Sequence, residues 1–395
     1  MSDLLLPARE AADRLGVKID TLYAYVSRGL LRSKEVSGSR ERHYDADQIE
    51  QFRAGRGATR ARPPAEDLIP VIGSAICLIE NHRLYYRGKD AIALAETATL
   101  EDAAALLWEE DAPRPATFSA QVLPSFHRRD GWNEGLDLIG RCQIRLAELA
   151  AADHAALDLS RAGVARTGRA ILAELAACVA RVAPAPQPIH TQLAAAWKLD
   201  AGGADLVRRC LVLLADHELN ASTFVARCIA STGATPYAVV SGALAALSGR
   251  RHGGASVRAE ALFRELGDDP DPMAAMAARL ARGDDLPGLG QPLYPEGDPR
   301  APAIVEAIAK ARPETGKRII AAAAAATQLT SLHPNVDFAL GATATALGLP
   351  QGAALGLFLV ARSVGWLAHA IEQYECGVLI RPRARYTGKR SPVGG

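Results

Sequence analysis

The sequence predicts a mainly α-helical body preceded by a small separate module, and three observations carry that reading. From about Asp67 onward Ala and Leu recur at helical spacing, as over Ala170–Val182 and Lys317–Leu329, while extended segments are confined to the region of Ala75–Leu84. Residues 1–54 have a different texture, with short segments, dense charge and three of the nine tyrosines. Between the two lies Gly55-Arg-Gly-Ala-Thr-Arg-Ala-Arg-Pro-Pro64, rich in Gly, Pro and Arg and without apolar periodicity, as a linker is. A chain of 395 residues also exceeds one compact unit on the usual size prior. The expected division is a module over 1–54, a linker over 55–66 and a body over 67–395.

Within the module, Leu6–Leu15 reads as a helix with Pro7 near its start, Gly16-Val17 turns the chain, and Lys18–Arg28 forms a second helix. A charged stretch centred on Ser37-Gly38-Ser39 suits a hairpin turn, after which Asp45 can cap a short helix over Ala46–Arg53. The REAADRLGV turn, the YAYVSRGLL run and the SRERHYDADQIEQF wing resemble the winged helix-turn-helix of MerR and excisionase-type DNA-binding domains. That resemblance implies DNA contacts from Lys18, Arg28, Arg32, Arg40 and Arg42, with Lys18–Tyr25 facing a major groove. Residues 1–62 carry twelve Lys or Arg against nine Asp or Glu, a modest excess that leaves protein docking as the other role for this module.

Bulk properties exclude several classes. Charge is nearly balanced, 45 basic against 44 acidic residues, so no uniformly basic nucleic-acid coat is present. Six cysteines, Cys77, Cys142, Cys178, Cys210, Cys228 and Cys376, form no CxxC pair and are expected to be reduced core residues, with no metal site. MSDLLLPARE shows no secretory leader, and a cytoplasmic protein is expected. Phe338–Ala361 is uncharged and long enough to span a bilayer, but Gly348-Leu-Pro-Gln-Gly352 breaks it, which predicts two short buried helices and no membrane span. Gly288-Leu-Gly290 lacks the preceding strand and third glycine of a dinucleotide fingerprint.

Chemistry concentrates in five segments. Ala215-Asp-His-Glu-Leu-Asn-Ala-Ser222 interrupts a long apolar run with ionisable groups, which are costly to bury unpaired; a polar helix end that caps the backbone would read the same way. His252 lies in the glycine-flanked loop Gly249-Arg-Arg-His-Gly-Gly-Ala-Ser256, beside Arg250 and Arg251. Gly288-Leu-Gly-Gln-Pro-Leu-Tyr294 is followed by Asp298-Pro-Arg300, and Asp337 is an acid in otherwise uncharged surroundings. Arg362 and the run Ile380-Arg-Pro-Arg-Ala-Arg-Tyr-Thr-Gly388 supply guanidinium groups, which hold carboxylates bidentately. Two histidines, an acid and several arginines point to proton abstraction beside a carbonyl on a polycarboxylate, with the substrate unnamed.

Taken in order, these segments resemble the citrate synthase family, whose motifs read like ADHELNAS, GPLHGGAN, GxGHxxYK followed by DPR, NVDF and RPRAxYxG, over roughly residues 67–390. The resemblance implies a large and a small helical domain, the small one at about 255–345, working as a homodimer. It implies condensation of acetyl-CoA or propionyl-CoA with oxaloacetate, acyl-CoA entering as substrate and no cofactor being required. His252 would hydrogen-bond the thioester carbonyl and Asp337 would take the methyl proton. His217, Arg300, Arg362 and Arg381 would hold oxaloacetate, with Arg381 reaching in from the partner subunit. The chain departs from the pattern at Gln291, where the family places a histidine, at Pro292 and Pro295, where it places basic residues, and in the GPLHGGAN loop, which here reads GRRHGGAS. A glutamine amide donates a hydrogen bond but is no general acid near neutral pH, so a slow enzyme is one expectation and a ligand-sensing DNA-binding regulator is the other.

Overall fold

Residues 5–15, 17, 19–27, 31, 33–35, 42–46, 49, 72–109, 135–269, 271–384, 386 and 388 are described by the structure, a computed structural model. Two units divide the chain, Met1–Gly73 and Ser74–Gly395. In the first, β1 (Leu5–Pro7) leads into α1 (Ala8–Leu15) and α2 (Ile19–Ser27), followed by β2 (Lys34–Glu35) and β3 (Arg42–Asp45). All strand pairs are antiparallel, in the order β1-β3-β2. Leu6, Ala11, Ala12, Leu15, Leu22, Leu31, Tyr44 and Ile49 make its core.

Leu6 and Pro7 therefore belong to a strand rather than to the expected helix. Pro7 lacks an N–H and tolerates only an edge position, which β1 provides. The turn at Ser37-Gly38-Ser39 and the linker lie outside the described residues, although β2 and β3 flank that turn as an antiparallel pair.

The second unit opens with the small sheet β4 (Cys77–Glu80), β5 (Arg83–Tyr86) and β6 (Lys89–Asp90). Helices follow: α3 (Ala91–Thr97), α4 (Leu100–Trp108), α5 (Leu138–Ala152), α6 (Arg161–Ala180), α7 (Ile189–Ala196), α8 (Ala201–Leu214), α9 (Ala221–Ala230) and α10 (Pro236–Leu247). After them come α11 (Gly254–Leu266), α12 (Pro272–Ala281), α13 (Arg300–Ala311), α14 (Pro313–Thr330), α15 (Val336–Ala346) and α16 (Ala353–Cys376). The helix starts are written into the sequence: Asp90, Thr99, Asp137, Ser160, Asp200 and Asn220 each cap the following helix with a side-chain oxygen.

Helix α16 runs through the middle of the core, against α4, α6, α8, α9 and α10. It is not short: the turn at Gly348–Gly352 does separate it from α15, but it continues for 24 residues. By length and composition it could cross a membrane, yet 94% of its apolar window is buried in protein, as a core helix requires. Among the cysteines, Cys142, Cys178 and Cys210 are buried, Cys77 and Cys228 are half-buried, and Cys376, the last residue of α16, is exposed rather than in the core.

Candidate active site

The segment joining α8 to α9 carries His217. The Tyr86 hydroxyl fixes it from the small sheet, bonding Val212 O at 3.1 Å and accepting the Asp216 N–H at 3.3 Å. Glu218 turns the chain at φ 52°, and Asn220 caps α9 by accepting the Thr223 N–H at 3.0 Å. Capping and chemistry thus share one segment. His217 is buried, with Nε2 3.1 Å from the Tyr294 hydroxyl. Burial, together with the cations Arg300 and Arg362, holds its imidazole well below the usual range, so it is neutral.

Arg362 is buried on α16, its Nε–H donating to Leu214 O at 2.8 Å and its guanidinium 4.9 Å from the Phe358 ring. Among the described residues its two Nη groups have no hydrogen-bond partner. Helix α16 reaches this segment because residue 365 is glycine: a Cβ there would lie 2.3 Å from Asp216 Oδ1 and 2.5 Å from Ala215 O. Arg300 opens α13 and is gripped by Asp298 through Nε–Oδ1 at 2.9 Å and Nη2–Oδ2 at 2.7 Å. Its Nη1 is buried without a partner among the described residues. Orphaned donors on two buried guanidiniums fit an anionic ligand.

His252 is set in a tight loop, with its N–H on Gly249 O at 2.9 Å and the Gly253 N–H on Leu247 O at 2.9 Å. Its Nε2 is 2.7 Å from Ser222 Oγ, which also accepts the Trp366 indole N–H at 3.1 Å. The ring stands edge-on to Phe358 at 5.7 Å. Burial, with Arg362 nearby, pulls its pKa down to about 4, so the neutral imidazole prevails at physiological pH. The Ser222 hydroxyl has one proton: given to Asn220 Oδ1, 2.8 Å away, it makes Nε2–H the donor to Oγ, and turned instead to Nε2 it leaves the imidazole proton on Nδ1.

Asp337 lies in the first turn of α15, whose cap is Asn335; Asn335 Oδ1 accepts the Asp337 N–H at 2.9 Å. The Ser256 hydroxyl donates to Asp337 Oδ1. Burial raises this carboxyl above its ordinary value, with Ser256 and Arg300 opposing. Asn335 also stitches the glycine loop to α15, its N–H bonding Gly288 O at 2.8 Å and its Nδ2 bonding Gly290 O at 2.8 Å. Gly288 has φ +83°, and a Cβ there would sit 2.6 Å from the Phe338 nitrogen. Gln291 follows, its carbonyl accepting the Tyr294 N–H at 2.9 Å. It lines a cavity of about 400 Å³ together with Tyr294 and His333.

Five of the expected residues are thereby brought together. Arg300 and Arg362 act electrostatically on both His217 and Asp337, and Phe358 touches both His252 and Arg362. Gln291 stands on the turn that carries Tyr294, the partner of His217, but the cavity it lines includes none of the five. Arg381 is exposed beyond α16 and does not join within one chain. Of the expected DNA contacts, Lys18, Arg28, Arg32 and Arg40 lie outside the described residues; Arg42 is exposed on β3 and donates to Ser33 Oγ at 3.1 Å. Sequence reading did not assign roles to Tyr294, Ser222, Ser256 or Asp298, although all four stand inside the motifs it singled out.

Fold and site define a mainly helical protein in which two buried arginines act on His217 and Asp337 and one of them, Arg362, on His252 as well. Residues 67–383 match the citrate synthase C-terminal domain, and residues 6–59 match the MerR HTH family of regulatory proteins. The chain belongs to the citrate synthase family. It is 38% identical over 193 residues to the citrate synthase of Haloferax volcanii, covering 47% of this chain and 51% of that protein. It is 29% identical over 350 residues to 2-methylcitrate synthase 2 of Corynebacterium glutamicum, covering 78% and 90%. The chain spans about half the length of the first curated relatives it matches. Among solved structures it is similar to the citrate synthase of Thermotoga maritima, with TM-score 0.68 and 27% identity over 82% of this chain and 95% of that one. The Thermoplasma acidophilum citrate synthase, solved with carboxymethyl coenzyme A and oxaloacetate, shares the fold at TM-score 0.69 and 24% identity, over 84% and 99%.

Proposed function

We propose that the chain condenses acetyl-CoA or propionyl-CoA with oxaloacetate, giving citrate or 2-methylcitrate and CoA. The observation that carries this reading is that the buried Arg362 acts on both a neutral His252 and Asp337, next to a buried Arg300 whose Nη1 has no partner among the described residues. Asp337 removes a proton from the methyl or methylene carbon next to the thioester. With the Ser222 proton turned from Asn220 to Nε2, His252 donates from Nδ1 to the thioester oxygen, where the negative charge develops. The resulting enolate attacks the ketone of oxaloacetate, whose carboxylates lie on Arg300, Arg362 and a partner-derived Arg381, with His217 as a neutral hydrogen-bonding group, and the new alkoxide takes its proton from water. Hydrolysis of the citryl thioester releases both products. Gln291 donates an amide N–H to the ketone oxygen but delivers no proton, which lowers the rate by about 10²–10⁴ relative to a histidine at that position.

The test is release of free CoA thiol from oxaloacetate with acetyl-CoA or propionyl-CoA. Absence of release together with tight oxaloacetate binding would replace the enzyme by a sensor, the reading that Gln291 and the MerR-type match favour. In either case residues 1–54 are proposed to bind DNA. Binding to promoter DNA that weakens steeply with salt supports this, and salt-independent association points to a protein partner instead.

A further inference from the structure

We propose that Ser256 is the positioning residue of the base: its hydroxyl proton pins Asp337 through Oδ1 and leaves Oδ2 as the oxygen that takes the substrate proton. This rests on the condensing reading above. Ser256 is fully buried in the first turn of α11, four residues beyond His252. Asp337 occupies the first turn of α15, 81 positions further along the chain.

A glycine sets the spacing between those two helices. A Cβ at Gly341 would lie 2.7 Å from the Ala259 carbonyl carbon and 2.9 Å from the Glu260 nitrogen, so α15 rests directly on the α11 backbone. Gly341 stands one turn below Asp337, and Ala259 about one turn below Ser256. At that separation a side chain as short as serine spans the gap. Helix α11 therefore does two jobs from one rigid element: its entry loop presents His252, and its first turn holds Asp337. The acid and the base must address neighbouring atoms of one thioester, and their registry is set by this helix rather than by two independent loops.

The hydroxyl also selects a charge state. A carboxylate in a desolvated place keeps its proton unless hydrogen bonds favour the ionised form. The charged groups acting on Asp337 are Arg300 and Asp298 at the start of α13 and Arg362 on α16. All three persist when Ser256 is changed, so the difference between variant and parent isolates the hydroxyl.

The experiment compares pH profiles of kcat for the full chain with Ser256→Ala and Ser256→Thr. In Ser256→Ala the acid limb moves up by about one pH unit, a roughly tenfold loss of rate below it, while KM for oxaloacetate holds because Arg300 and Arg362 are untouched. Ser256→Thr, which keeps the hydroxyl, restores the parental limb. An unmoved limb in Ser256→Ala, or an equal shift in Ser256→Thr, overturns the proposal. Carboxyl-carbon NMR titration of Asp337 in parent and Ser256→Ala, both shown folded by circular dichroism, gives a readout independent of turnover. A shifted titration supports the role of Ser256 even where no thiol is released and the condensing reading fails; superimposable titrations overturn it.

Discussion

Replacing Asp298 by alanine strips the buried Arg300 of its counter-charge. The side chains of the pair are 1% and 0% exposed, and the carboxylate accepts the Arg300 Nε–H at 2.9 Å, its Nη2–H at 2.7 Å, its backbone N–H at 3.1 Å and the Val336 N–H at 3.1 Å. Removing one member of a buried ion pair costs about 3–5 kcal/mol, because the survivor remains desolvated and uncompensated. Arg300 already has one orphaned nitrogen, and the substitution would orphan the rest. Asp298→Ala should therefore lower the melting temperature of the helical unit by on the order of 10 °C. Asp298→Asn, which keeps an acceptor for Nε–H but no charge, should fall between. Scanning calorimetry of the three proteins with and without oxaloacetate is the assay, and the dicarboxylate should stabilise the parent as RT ln(1 + [L]/Kd). A loss below about 1 kcal/mol in Asp298→Ala would show that Arg300 needs no compensation. The inference that its free nitrogen calls for an anion would then collapse.

Other outcomes follow from the same geometry. Gln291→His should raise turnover by about 10²-fold or more in the thiol-release assay, and an unchanged rate removes Gln291 from the reaction. Arg250 and Arg251 are exposed beside His252, and Arg258 is tied to the same loop by its bond to Arg250 O at 2.7 Å. The double variant Arg250→Ala/Arg251→Ala should raise KM for acetyl-CoA about tenfold but leave an acetyl-pantetheine thioester, which lacks the nucleotide phosphates, unaffected; equal effects on both deny a phosphate contact. Burial pushes the Glu101 carboxyl from 4.5 up to about 6 although it accepts the Ile189 N–H at 2.7 Å. The folded state thus prefers the proton, and the associated stability is full below pH 4.5 and lost as pH rises through 6, about 2 kcal/mol in all. Glu101→Gln should gain on the parent across that window, whereas parallel stability curves between pH 4.5 and 6.5 would refute the assignment.

The residues that announced themselves in the sequence are those that break a pattern. His217 and Asp337 interrupt apolar runs, and Arg362 is a charge in a helix that is otherwise core. Ser256 gives no such signal, since a small polar residue in an alanine-rich helix is unremarkable until Gly341 brings α15 against it. Asp298 was visible beside Arg300, but its bond to the Val336 N–H depends on a helix 38 residues away. Strand β1 was missed for a similar reason: three residues acquire a conformation only by pairing with β3. Helical periodicity is a local property and was legible; short strands and second partners are settled at long range.

The bond between Arg362 Nε and Leu214 O joins residues 148 apart, and the Gly365 N–H on Ala215 O closes the same span. On a ribosome, helices α3 to α15 emerge and begin to pack before α16 exists, so the Arg362 side of the site is assembled only once α16 has been made. A chain arrested between α15 and α16 holds His217 and His252 but not the Arg362 guanidinium that acts on both. The buried Arg362 guanidinium therefore enters the site only in molecules that have threaded α16 through the core.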